Sequence, residues 1–145
     1  MPTQPIQRTI EQVDLSSRFP FSTTVVASPA AAAETIIAQI NTRATTNDLA
    51  VVSAVVLFGW AAYTVGTNGT AVQLRIRQTQ VAGTLVAASG ALTGSQHGAA
   101  ILSADDVAGV DTAPPAGGIY VLTMQVTAGS AASTVSAVLL NAIVI

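Results

Sequence analysis

Few side chains in this chain could do chemistry, and their spacing narrows the field further. His97, in the run Gly94-Ser95-Gln96-His97-Gly98, is the only histidine and so the only base available to a Ser-His-acid triad. Serines are plentiful, so a serine near it carries little information, and no G-x-S-x-G nucleophile elbow occurs. As a metal ligand His97 has no second histidine and no cysteine to work with. Symmetry offers one exception, since three copies of His97 meeting on a trimer axis could hold an ion; the plainer reading is a polar loop residue. Asp105, Asp106 and Asp111 are close together but lack the alternate acids, central glycine and final glutamate of a calcium loop. They read as a solvated loop. No phosphate-binding glycine loop is present, and Asn68-Gly69-Thr70, formally a glycosylation sequon, is better read as a hairpin turn. These residues predict no enzyme, no cofactor and no resident metal.

Arg75 and Arg77 share one face of an alternating run and could form a basic contact patch or simply a wet sheet face. Phe58, Trp60 and Tyr63 are the main aromatic group, for which a core position is the default. Composition sets the frame around them. The 145 residues suffice for one domain with a real core. Charged residues are 8% of the chain, against roughly 25% in an ordinary soluble domain. Five arginines, no lysine and a net charge of −2 exclude a sequence-independent nucleic-acid binder, which needs clustered cations. The apolar share of 50%, mostly Ala and Val, excludes disorder for most of the chain.

Scarce charge could also mean a membrane. Residues 49–66 approach the length of a spanning helix, and no charge follows Asp111. Both stretches, however, are broken by Ser, Thr, Gly or Asn, are rich in Val and Ile, and lack flanking Lys or Arg clusters. The first residues show acids and prolines where a signal peptide would have an apolar run. No membrane partner is expected.

The elements that must position these residues are strands. Runs of β-forming residues separated by turn signals predict strands over 22–28, 35–42, 50–65, 71–79, 84–88, 99–103, 119–127 and 134–145. Residues 89–98 and 103–111 read as loops. About eight short strands with no substantial helix predict an all-β, antiparallel β-sandwich of jelly-roll type. In 71–79, Val72, Leu74 and Ile76 point one way, and Gln73, Arg75 and Arg77 the other.

Two segments depart from a simple sandwich. Residues 1–20 hold a third of the charges with Pro2, Pro5 and Pro20, and read as an N-terminal arm ahead of a domain over 21–145. Ile6, Ile10 and Val13 have helical spacing, too short to persist alone. The runs 50–65 and 134–145 are apolar on both faces, so both faces must be covered. In 50–65 one face carries Val51, Val55, Leu57 and Tyr63, and the other carries Val52, Val56, Phe58 and Trp60. The first of these, together with Leu139 and Ile143 of the last strand, is the expected subunit interface.

A double-faced apolar strand, the run Val72-Gln73-Leu74-Arg75-Ile76-Arg77, the Gly83 turn, the Pro/Gly turn into Gly118-Ile119-Tyr120-Val121-Leu122-Thr123-Met124-Gln125-Val126 and a final apolar strand follow in order. Over residues 21–145 this order resembles the trimeric jelly-roll domains of tumour-necrosis-factor and complement-globular-head type, as found in bacteriophage virion proteins. The resemblance implies a homotrimer with an apolar interface and its C-terminal strand near the three-fold axis. It is most similar to capsid decoration (cement) proteins of the outer capsid surface, whose arms grip the major capsid protein. That would assign capsid binding to Pro2, Pro5, Ile6, Arg8, Ile10, Val13, Leu15 and Arg18. The alternative is a trimeric fibre or spike tip that binds a host glycan or surface protein.

Overall fold

A computed structural model describes residues 23–24, 32–42, 52–66, 71–90, 102–126 and 133–145. The expected arm, 1–20, lies outside the described residues, as do Val51 and His97. Eight strands are present among the described residues: β1 (Thr23–Thr24), β2 (Glu34–Asn41), β3 (Val55–Thr64), β4 (Val72–Gln78), β5 (Leu85–Ala88), β6 (Leu102–Asp111), β7 (Ile119–Val126) and β8 (Thr134–Val144). They form two antiparallel sheets, ordered β1-β2-β7-β4-β5 and β6-β3-β8, with a shared core between them.

The order follows from rolling up one long hairpin. Folding the chain back on itself pairs β2 with β7, β3 with β6 and β4 with β5. Rolling that ribbon then brings β4 against β7 and β3 against β8. These are jelly-roll pairings. The short β1 pairs with the edge of β2 and also approaches β8 across the sandwich.

Alternation places the core as expected in β4, where Val72, Leu74 and Ile76 are buried. In β2 strict alternation would set Ile36, Ala38 and Ile40 against Ile37. A bulge between Ile36 and Ala38 shifts the parity, and Ile37, Ala38 and Ile40 all reach the core.

Two expectations are overturned. Residues 103–111 are not a loop: β6 pairs with β3 from Leu102↔Thr64 to Asp111↔Val55. Its weak β-forming composition is overridden by that continuous ladder. Phe58 and Trp60 are not core residues but lie 45% and 39% exposed, while Val55, Leu57 and Tyr63 are fully buried. Gly59 explains the inversion. A Cβ there would lie 2.7 Å from Leu122 Cδ1 of the opposite sheet and 3.1 Å from Val107 Cγ1 of the adjacent β6, so the space above the middle of β3 is already filled. The small residues Gly59 and Ala61 accept that close approach, and the aromatic side chains are left on the outer face.

Candidate interaction surface

The two outer faces of the sandwich differ in chemistry. On the three-stranded sheet, register sets Trp60 between Asp106 of β6 and Leu139 of β8. The next row places Phe58 between Ala108 and Asn141, and the one after it Val56 between Val110 and Ile143. Phe58, Trp60, Val110 and Leu139 are all exposed. Among the described residues, Asp106 is the only charged residue on this face. Clustered exposed apolar side chains of this kind mark interaction surfaces in soluble proteins. Asn141 sits within the patch, and its side-chain Oδ1 is buried without a hydrogen-bond partner.

The outer face of the five-stranded sheet is closed by its own polar network. Glu34 Oε1 receives Arg77 Nε at 2.6 Å and the Thr123 hydroxyl at 2.6 Å. Its Oε2 receives Arg75 Nη1 at 2.9 Å and Arg77 Nη2 at 3.1 Å. Arg75 Nε donates to Gln73 Oε1 at 2.8 Å, and Arg77 Nη1 to the Gly83 carbonyl at 3.1 Å. Burial acts to raise the Glu34 pKa, but the hydrogen bonds and charge from the arginines, with the Thr123 bond, outweigh it and hold the carboxyl below its ordinary value. Arg75 and Arg77 are thus partly buried, each against Glu34, instead of standing free as a basic patch.

The acids of β6 divide by strand parity. Asp106 points outward, whereas Asp105 accepts a short hydrogen bond from the Tyr63 hydroxyl. Asp111 Oδ2 accepts from Tyr120 at 2.9 Å and Gln78 Nε2 at 2.7 Å, and Oδ1 accepts from the Ala113 N–H at 2.9 Å. These carboxylates serve tyrosine partners and do not converge. No group of three or more His, Asp or Glu side chains among the described residues could hold a metal ion.

The expected interface residues therefore separate. Leu139 and Ile143 lie on the open apolar face, but Val55, Leu57 and Tyr63 lie on the core side of the same sheet. Their places outside are taken by Val56, Phe58 and Trp60. Sequence reasoning missed this because both faces of β3 are apolar. The available signal was Gly59 with Ala61, two small residues on the face that contains Val55 and Leu57.

No helix among the described residues is long and apolar enough to cross a membrane. No protein-family model matches the chain, and no curated protein matches it. Among solved structures, one chain from the structure of the infectious bursal disease virus Gx strain aligns with 88% of this chain at 11% identity and a TM-score of 0.25. The aligned part is 38% of that chain, and a likeness at this level carries no argument for fold or function. The fold rests on the strand ladders above: an all-β, antiparallel sandwich of jelly-roll type.

Proposed function

We propose that this protein is a structural component that works by self-association through the outer face of the β6-β3-β8 sheet. The exposed cluster of Phe58, Trp60 and Leu139 carries the reading. Further burial of Phe58 and Trp60 would contribute about 1–2 kcal/mol each. The opposite face is suited to solvent or a polar neighbour, because its charges are already paired.

Within that class the resemblance stated above favours a homotrimer in a virion, on the outer surface of a phage capsid. Residues 1–20 would grip the major capsid protein. Three arms acting together convert modest individual contacts into strong attachment. Native mass and sedimentation of the full chain test the first step, with three times the 14.6 kDa chain mass expected and a monomer refuting it. Deleting residues 2–20 tests the second: the truncated protein stays associated but no longer binds capsids. Full capsid binding without the arm rejects the clamp, and glycan binding by the arm-less domain would favour the fibre-tip alternative.

A further inference from the structure

We infer that Asn141 sets the number of chains in the assembly, by hydrogen-bonding the Asn141 amides of neighbouring copies inside the apolar interface. The inference rests on the self-association reading and goes beyond it to name the residue that selects stoichiometry.

Asn141 is out of keeping with its surroundings. It lies opposite Phe58 in the register, between Leu139 and Ile143 on its own strand, yet its Oδ1 is buried and unpartnered. Such an atom opposes folding while it stays unsatisfied. Turning the amide about its Cβ–Cγ bond presents a donor or an acceptor outward. A primary amide carries both, so copies of Asn141 around an axis can satisfy one another. A carboxylate could not, because its copies would repel.

That difference also indicates where the axis lies and that the occupant is a second copy of this chain. Asp106, the one charged residue on the face among the described residues, is on β6, while Asn141 is on β8 with β3 between them. An axis beside β8 brings the self-complementary amides together and keeps the like charges apart. The remaining contacts are apolar and non-directional, so they supply affinity without specifying register. A lone buried amide in an apolar seam specifies register and copy number in coiled coils, at some cost in stability.

Sedimentation velocity of the full chain, over a range of concentrations, compares wild type with Asn141→Leu and Asn141→Asp. Wild type is expected as one species of three chains. Asn141→Leu should still associate but spread over at least two stoichiometries. Asn141→Asp should raise the dissociation constant about tenfold or more, through like charges at the axis. Far-ultraviolet dichroism confirms the fold of each variant, the substituted side chain being on the outer face. If wild type and Asn141→Leu are both single trimers, or if Asn141→Asp associates as tightly as wild type, the inference fails and the self-association reading survives. A monomeric wild type removes both.

Discussion

The Tyr120 hydroxyl donates to Asp111 Oδ2 at 2.9 Å, and this bond joins the two sheets, β7 belonging to one and β6 to the other. Gln78 from β4 donates to the same oxygen, and the Ala113 N–H holds the second. The carboxylate is 7% exposed and satisfied on both oxygens, so it acts as a polar rivet at one end of the sandwich. Asp111→Ala strands the Tyr120 hydroxyl and leaves Gln78 Nε2 with the Ala113 carbonyl alone, at 3.0 Å. Urea unfolding should show a loss of about 2–3 kcal/mol.

The chain's two tyrosines are both buried and both donate to aspartates. Burial, then the hydrogen bond and charge of the aspartate, push each phenol well above its ordinary value of 10.0. A raised folded-state pKa gives stability that is intact below pH 10.0 and lost as the pH climbs toward the folded value. Alkaline titration should show tyrosinate absorbance appearing together with unfolding. Ionisation near pH 10 with native dichroism would contradict the buried pairing.

Glu34 has the opposite sign. Its lowered pKa means that its stabilisation is intact above the ordinary value of 4.5 and is lost as the pH falls through the folded value. Glu34→Gln should flatten the acid limb of the stability curve. Glu34→Ala leaves Arg75 and Arg77 without their shared partner and should cost about 1–3 kcal/mol at neutral pH, measured by denaturant unfolding.

Gly59→Ala tests why the aromatic residues face outward. The added methyl collides with Leu122 and should cost about 1–3 kcal/mol, visible as a lower thermal midpoint. A neutral Gly59→Ala would mean that the sheets are not held this close at β3.

Phe58→Ser with Trp60→Ser should leave the fold intact and abolish self-association, because both side chains lie on the outer face. The readout is native mass, checked by far-ultraviolet dichroism. In wild type, Trp60 is the only tryptophan, so its emission should shift to the blue with rising concentration as association buries the ring.

Thr79 has a φ of 65°, an uncommon conformation for a β-branched residue, in the turn between β4 and β5. Thr79→Asn places a residue that tolerates this region and should add about 1 kcal/mol of stability, or about 3 °C in thermal midpoint. An unchanged midpoint would show that the turn stores no strain.

Alternation and turn residues in the sequence were enough to place β2, β4 and β7 within a few residues, and to turn Arg75 and Arg77 outward. These are local properties: a strand with one apolar and one polar side has only one favourable orientation. Beyond that, three results needed the tertiary structure. The face of β3 that forms the core was decided by Leu122 reaching over Gly59 from the opposite sheet. The strand character of 103–111 came from a ten-residue ladder with β3, despite its aspartates and glycine. The roles of Asp105 and Asp111 were set by Tyr63 and Tyr120, the first 42 residues away in the chain. In each case the local pattern allowed two answers of similar energy, and contact with a distant strand separated them.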